Sequence, residues 1–540
     1  MSPSRSTSPS TPRVPARVVF VGAGPGDPGL LTVRAGELLA AADAVVLDQV
    51  ARESVVARWC RPEVDVVDAG HGDHGQPLTR ASRAKLVVRA AKAHPSGLVV
   101  RLMDGDPTVF NGLAEEAGAC VKAGIAVEVV PGVSSVTAVP AYAGVPLTMT
   151  STTGIHVVAA GARACELAGA VDPHTTVVVL GQAEQAAHTL DALVAAGRDG
   201  STPVAVTERG TSIEQRTVVT TLAEAAGVMA DLAFPVLAVV GSTVALRETL
   251  SWFETKPLFG WEVLVPRTQD QAGSTITRLE HHGAHAAVVP TISVEPPRTP
   301  QQLERAVKGM VTGRYEWVGF TSVNAVKAVR EKFEESGLDA RAFSGLKIAA
   351  VGGVTARALR DWGLEPDLVP SGEQSANGLL ADWPEYDDVL DPINRVFLPR
   401  ADIATDTLVA GLQQMGWEVD DVTAYRTVRA APPAAEVRDA IKSGAYDAVV
   451  FTSSSTVRNL VGIAGKPHPS TVVAVIGPAT AKAAEEAGLH VDVMAPEASS
   501  DALVDALAAH GLGLAVAAQE AGEPVRRPSA TKATARRRAR

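Results

Sequence analysis

Short valine-rich apolar runs alternate along the first half of the chain with longer Ala/Leu-rich stretches of helical period. The runs are ARVVFVG, ADAVVLD, GLVVRLM, IAVEVVPG, TTVVVLG, PVAVTERG and PVLAVVG. Strand-like runs separated by helical patterns predict an α/β fold. Leu31, Ala35, Leu38, Leu39 and Ala42 fall on one face of the helix after the first run, so that helix should pack on a sheet. The pattern holds from Arg17 to about Glu254. A segment with Pro, Gly and two aromatics, ETKPLFGWE, follows, and strands resume at Val263. The chain therefore divides into a tail (1–16), a first domain (17–254), a linker (255–261), a second domain (262–510) and a basic tail (511–540) expected to be disordered.

The second domain repeats itself. EVLVPRTQDQAGSTITRLEHHGAHAAVVPTISV, from Glu262, matches RVFLPRADIATDTLVAGLQQMGWEVDDVTAYRTV, from Arg395. WVGFTSVNAVKAV matches AVVFTSSSTVRNL, and KIAAVGGVTARALRDWGLEPDLVP matches VVAVIGPATAKAAEEAGLHVDVMAP. The copies are offset by roughly 130 residues, far longer than solenoid repeats, which points to a duplicated domain. Two similar α/β lobes should face each other across a cleft, one spanning about 262–296 and 428–510, the other about 297–427. Each copy carries an apolar strand ending in a Ser/Thr/Gly turn that opens a helix: FTSVNA, VGGVTA, FTSSST and IGPATA. Such turns aim N–H groups and hydroxyls at the positive end of a helix dipole, which suits carboxylates or phosphates. The same residues also serve as ordinary helix caps.

Composition narrows the class. At 540 residues the chain exceeds one ordinary domain. With 46% hydrophobic and 20% charged residues it has globular usage, and with only 4% aromatics its cores must be built from small aliphatics. A net charge of -11 argues against a general nucleic-acid binder but not against an acidic small molecule held by local arginines. The three cysteines, Cys60, Cys120 and Cys165, lie far apart without a CxxC pair, so neither a disulfide framework nor a zinc site is expected. A reducing cytoplasm fits that cysteine usage, and no apolar run approaches the roughly 18 residues of a membrane span. The first fifteen residues read as a disordered tail rather than a transit peptide. The last sixteen read as a solvated extension rather than an anion-binding one. The cluster His281, His282 and His285 reads as a solvated helix end rather than a metal site.

The loop VGAGPGDPG, from Val21, decides the cofactor class. A dinucleotide fingerprint needs G-x-G-x-x-G, but Asp27 stands at the third glycine, between two prolines, Pro25 and Pro28, that lack N–H donors. A pyrophosphate cradle is therefore poorly supported. The loop resembles instead the GPGDP segment of the tetrapyrrole methylases, which use S-adenosylmethionine. RLMDGDPTVFNGLAEE, VVPGVSSVTAVPAYAGVPLT, TERGTSIEQRTV and PVLAVVG follow in that family's order, and the match is closest to the uroporphyrinogen-III C-methyltransferases. The second domain resembles uroporphyrinogen-III synthase through its duplicated lobes, the FTS turns and the AYRT segment. The resemblances imply a two-lobed tetrapyrrole methylase fold followed by a two-lobed synthase fold with duplicated flavodoxin-like lobes. They imply a bifunctional enzyme that cyclises hydroxymethylbilane to uroporphyrinogen III and methylates that product to precorrin-2, for sirohaem or cobalamin.

Residue by residue, the methylase resemblance assigns the base to Asp48 and the S-adenosylmethionine site to Pro25, Asp104, Gly105, Asp106, Val109, Ser134, Ser135, Leu180 and Gly210. Asp104 stands where that family has glycine, Ala69 where it has a lysine regarded as a proton donor, Leu180 where Met is common, and Met149-Thr150 where a His-Arg pair is usual. His71 or His74 could stand in for the lysine. The synthase resemblance implies Tyr425 as a donor to the departing hydroxyl, without metal or cofactor. Ser322, Asn324, Thr355, Ser453, Ser454 and Thr480, with Arg267 and Arg400 from the matched VPR and LPR turns, are the candidates to hold the substrate's carboxylates. The implied partners are small-molecule tetrapyrroles, with no nucleic acid or membrane, and a second copy of the chain bound through the methylase domain. The alternative is a synthase whose methylase-like half is a weakly active or non-catalytic module; a two-lobed periplasmic-type binding protein would also use such lobes but would need a signal peptide, which the N-terminus is read as lacking.

Overall fold

The computed structural model describes residues 16–48, 52–71, 78–229, 232 and 235–530, and the chain divides into two compact units. His74 lies outside the described residues, as do most of the N-terminal tail and 531–540.

The first unit opens with strands β1 (Arg17–Gly22), β2 (Ala44–Leu47), β3 (Asp65–Asp68), β4 (Leu98–Met103) and β5 (Ala126–Val130), joined in the parallel order β3-β2-β4-β1-β5. Alternate side chains of the central strands feed two cores. Val19, Val21, Val45, Leu47, Val100 and Leu102 pack on one face, and Val18, Phe20, Ala44, Val46, Val99 and Met103 on the other. Burial on both faces explains why these strands read as unbroken apolar runs. The helix Val33–Ala41 starts at Thr32, whose Oγ1 accepts from Ala35 N at 3.2 Å, and it buries Ala35, Leu38 and Leu39 on the first core. A second, mixed sheet follows, made of β6 (Gly154–Ala159), β7 (Thr175–Gly181), β8 (Pro203–Glu208), β9 (Arg216–Thr221) and β10 (Val236–Val240) in the order β6-β7-β10-β8-β9.

Residues 255–261, expected as a linker, fold with this unit. Leu258 and Trp261 are buried, Phe259 packs edge-on against Phe253, and Lys256 Nζ sits 5.2 Å from the Trp252 ring centroid. The apolar side chains of a short segment found a core to join.

The second unit carries β11 (Glu262–Val265), β12 (His285–Val288), β13 (Ile292–Glu295), β14 (Trp317–Phe320), β15 (Lys347–Ala350), β16 (Arg395–Ala401), β17 (Glu418–Arg429), β18 (Ala448–Phe451), β19 (Val472–Val475) and β20 (Val493–Met494). They form two sheets, β12-β11-β18-β19-β20 and β13-β17-β16-β14-β15. In chain order the first sheet is 2-1-3-4-5, the flavodoxin-like arrangement; in the second, β14 to β17 keep the 2-1-3-4 part of it, and β13, which precedes them in the chain, adds antiparallel to β17 at the edge. Because β13 and the Arg429 end of β17 pair together, the first lobe gives up its strand at 292–295 and the exchange between lobes falls a few residues earlier than 296.

Each lobe draws strands from both sequence copies. β11 and β12 come from the first copy and β18 to β20 from the second; β13 to β15 come from the first and β16 and β17 from the second.

The expected disorder from residue 511 is corrected: the helix Ser500–Glu520 continues through it. LGLAVAAQE has no proline to stop a helix, and Gly511 packs where a Cβ would lie 2.7 Å from Pro257 O. This 21-residue helix, of mean hydropathy 1.4, is long and apolar enough by length and composition to cross a membrane, unlike any run anticipated from the sequence.

Candidate active sites

In the first unit, the turns after β1, β4 and β5 converge at the carboxyl ends of adjacent strands. Gly24 and Gly105, both left-handed at φ 76° and 64°, exchange backbone hydrogen bonds (Gly105 N to Gly24 O 2.7 Å, Gly24 N to Gly105 O 3.2 Å). A Cβ on Gly22 would lie 2.5 Å from Gly132 Cα, so only glycine lets these turns meet. Asp106 fastens them: its carboxylate accepts from Gly132 N at 2.9 Å, from Thr108 N at 2.8 Å and from the Thr108 hydroxyl. Burial pushes this carboxyl up, and those three donors outweigh it and hold it below the usual carboxylate range.

Asp27, the residue that spoiled the dinucleotide fingerprint, has a different task. Its Oδ1 caps the turn Pro28–Leu30 through Gly29 N at 2.7 Å, its Oδ2 accepts from Tyr142 Oη at 2.7 Å, and its N–H donates to Thr211 Oγ1 at 3.1 Å. Burial and then the Asp27 carboxylate raise the Tyr142 phenol well above its ordinary value. The loop is thus pinned to the helix Ser135–Tyr142 and to the turn after β8.

These turns and the second sheet enclose a cavity of about 280 Å³. Its lining includes Pro25, Asp104, Gly105, Asp106, Val109, Ser134, Ser135, Leu180 and Gly210, so the nine positions singled out for the cofactor share one space. It also includes Phe110, Asn111, Thr207, Val236 and Leu237, which the sequence reading missed. Asn111 holds the loop by donating to the carbonyls of Asp104 (2.5 Å) and Asp106 (2.6 Å). Phe110 is left-handed at φ 58° and 48% exposed, a conformation no sequence pattern announces. The lining holds two carboxylates, several hydroxyls and apolar surface, and among the described residues no basic side chain. Such a donor set suits a cation with an apolar ring system and is hostile to phosphates.

Asp48 is not in that lining. At the end of β2, 8% exposed, it accepts from Arg101 Nη2 at 2.7 Å, and Arg101 also donates through Nε to Glu116 Oε2 at 2.7 Å. Arg101 and Glu116 are fully buried. Burial works against the Arg101 charge, and the Glu116 and Asp48 carboxylates outweigh it. Ala69 is buried beside Val87 and Ala91, its N–H bonded to Leu47 O at 2.9 Å. His71 follows the Asp68 turn, its N–H 3.4 Å from Asp68 Oδ1.

In the second unit the two strands flanking each lobe's switch point lead to one of the matched arginines and to one FTS turn, with Arg400 still within β16. Between β11 and β18 these are Arg267 and Ser453; between β14 and β16 they are Ser322 and Arg400. Crevices at such points bind ligands in open α/β sheets. Ser322 caps the helix Val323–Glu335, accepting from Ala325 N at 3.1 Å, and its Oγ lies 3.0 Å from Tyr425 Oη. Ser453 caps the helix Ser454–Ala464 through Thr456 N at 3.3 Å, and Ser454 donates to Ala479 O at 2.8 Å. Asn324 is half-buried; Thr355 and Thr480 are buried at 5% and 3% exposure. Arg400 departs from the expectation: its Nε donates to Asp421 Oδ1 at 2.7 Å, its other nitrogens meet Asp421 Oδ2 and Thr405 O, and Asp406 lies 3.6 Å away. A guanidinium so committed is not open to a substrate carboxylate. Arg267 has Ser500 Oγ at 3.4 Å and no carboxylate within ion-pair distance among the described residues, and burial alone lowers its pKa.

His281 ends the helix Gln269–His281 and His282 follows in the turn, their rings 5.3 Å apart, and His285 opens β12.

Comparison with known proteins gives two family matches: tetrapyrrole (corrin/porphyrin) methylases over residues 17–226 and uroporphyrinogen-III synthase HemD over residues 273–505. The porphyrin biosynthesis protein HemD of Ruminiclostridium josui is 30% identical over 508 residues, 92% of this chain and 98% of that protein. Siroheme synthase 2 of Aeromonas hydrophila subsp. hydrophila is 38% identical over 246 residues, 44% of this chain and 51% of that protein. Among solved structures, the uroporphyrin-III C-methyl transferase of Thermus thermophilus complexed with S-adenyl homocysteine is 35% identical, covering 43% of this chain and 99% of its own, with a TM-score of 0.36.

Proposed function

Since this chain belongs to the porphyrin biosynthesis proteins that join a tetrapyrrole methylase domain to a uroporphyrinogen-III synthase domain, we propose that it carries out two consecutive reactions. The second unit cyclises hydroxymethylbilane to uroporphyrinogen III, and the first methylates that product to precorrin-2. The observation that carries the methylase half is the cavity whose lining offers Asp104, Asp106, hydroxyls and apolar walls and, among the described residues, no basic side chain. These residues fit S-adenosylmethionine, which when bound supplies an electrophilic methyl group on a sulfonium. Carbonyls and carboxylates of the turns favour its positive charge, and Val109, Leu180 and Val236 offer apolar contact to its ring. The nucleophilic carbon of the tetrapyrrole provides the electron pair of the new bond, and a proton leaves the ring system. Asp48 is the candidate to receive it.

In the second unit the terminal hydroxyl of the linear substrate leaves as water once it gains a proton, and ring closure returns a proton from the pyrrole framework. Tyr425, a phenol O–H with Ser322 at its oxygen, suits protonation of that hydroxyl. Arg267, the switch-point arginine without a carboxylate partner among the described residues, suits a substrate carboxylate. No cofactor enters this reading of the synthase.

A second reading, a synthase with a non-catalytic methylase module, draws on the engagement of Asp48 by Arg101. One experiment separates them: incubation of the full chain with hydroxymethylbilane and S-adenosylmethionine, with chromatographic identification of products. Precorrin-2 supports the two-step reading. Uroporphyrinogen III alone, beside an active methyltransferase control, leaves the synthase only, and uroporphyrinogen I overturns both.

A further inference from the structure

Beside Asp48 lies a four-member charge cluster in which three members are tightly held and one is not. Arg101 is fully buried and saturated: Nε and Nη2 donate to Glu116 (2.7 and 3.2 Å), Nη2 also donates to Asp48 (2.7 Å), and Nη1 donates to Leu102 O (2.8 Å). Arg83, from the helix Arg80–Ala93, completes the neutral set of two arginines and two carboxylates, but its side chain is 21% exposed. Its Nη1 stands 3.7 Å from Asp48 Oδ1. Its Nε stands 3.2 Å from Glu116 Oε1 without the alignment of a hydrogen bond, and that nitrogen has no hydrogen-bond partner among the described residues.

A buried N–H left unmade is costly, and a partly exposed guanidinium without bidentate partners is the kind that a carboxylate from outside can engage. We infer that Arg83 is a binding residue for a carboxylate of the tetrapyrrole substrate and the exchangeable counter-ion of Asp48. On binding, its guanidinium turns from Asp48 to the substrate's acid group and leaves Asp48 held by Arg101 alone. The Arg101–Glu116 pair is the fixed part, positioning Asp48 whether or not substrate is present. The inference rests on the methylase reading of the first unit and on Asp48 as its base.

The test is Arg83→Ala and Arg83→Lys in the full chain, with uroporphyrinogen III and S-adenosylmethionine varied separately. Arg83→Ala should raise KM for uroporphyrinogen III by about tenfold or more, the loss of one charge-assisted hydrogen-bonded contact. KM for S-adenosylmethionine should stay unchanged, and Arg83→Lys should recover part of the loss. A purely structural Arg83 would instead lower kcat and thermal stability with KM intact, and that outcome overturns the inference. Titration of the full chain with uroporphyrin III, which cannot be methylated, gives a readout independent of turnover. One class of site should weaken in Arg83→Ala, and superimposable isotherms overturn the inference even if the wild type proves inactive as a methylase. A wild type without methylated product but with an Arg83-dependent binding site sinks the methylase reading alone.

Discussion

Ser322 Oγ and Tyr425 Oη meet at 3.0 Å across the second lobe of the synthase unit, one at a helix cap and the other on β17. The pairing orients the phenol. Tyr425→Phe should cut the rate of enzymatic ring closure by about a hundredfold, the lower range for loss of a positioned acid. The protein should still fold, since only a hydroxyl is lost. Ser322→Ala should have a smaller effect on rate and cost about 1 kcal/mol as a lost helix cap. Single-turnover formation of uroporphyrinogen III, against the spontaneous isomer, measures both; an unchanged rate in Tyr425→Phe removes the tyrosine from the chemistry.

The two switch-point arginines should part company on mutation. Arg267→Met should raise KM for hydroxymethylbilane with little change in the urea midpoint, because no described carboxylate depends on it. Arg400→Met strips Asp421 of its bidentate partner and should destabilise the second lobe while leaving KM of the remaining folded enzyme nearly unchanged. Equal effects on KM would show that the pairing with Asp421 opens in the working enzyme.

Asp27 makes a stability prediction separate from cofactor binding. Tyr142→Phe removes its hydrogen bond to a carboxylate and should cost about 1–2 kcal/mol in urea unfolding. Affinity for S-adenosylhomocysteine, followed by calorimetry, should change little, since neither residue lines the cavity.

Asp106 sets a pH window. Its folded pKa is depressed, so its stabilisation is present above the unfolded value near 4 and is lost as pH falls through the lower folded value. Asp106→Asn should therefore be less stable than wild type at pH 7. Thermal melting from pH 7 down to pH 2 should bring the two proteins together below about pH 4; a constant gap across the series contradicts the assignment.

Much of this arrangement is legible in residue order because the chemistry sits at strand ends. Gly22, Gly105 and Gly132 follow recognisable apolar runs, and the turns they form meet because β4, β1 and β5 are neighbours. What escapes a linear reading depends on partners from elsewhere. Arg267 and Arg400 occupy matched positions, and the placement of Asp421 on β17 commits Arg400 to an ion pair while Arg267 stays available. Arg83 looks like any polar residue of an amphipathic helix until Asp48 and Glu116 are seen beside it. Phe110 gives no hint of its left-handed backbone. The helix through residue 520 was hidden by a tail that becomes basic only afterwards.

The mixed parentage of the synthase lobes means that the duplication is interlocked rather than serial. A chain severed between the copies, near residue 394, would leave each half with strands whose sheet partners lie on the other: β11 without β18, and β16 without β14. Neither half could bury its central strands alone, so each would present bare edges prone to mispairing. The two halves co-expressed would have a native route to solubility, by exchanging strands with each other.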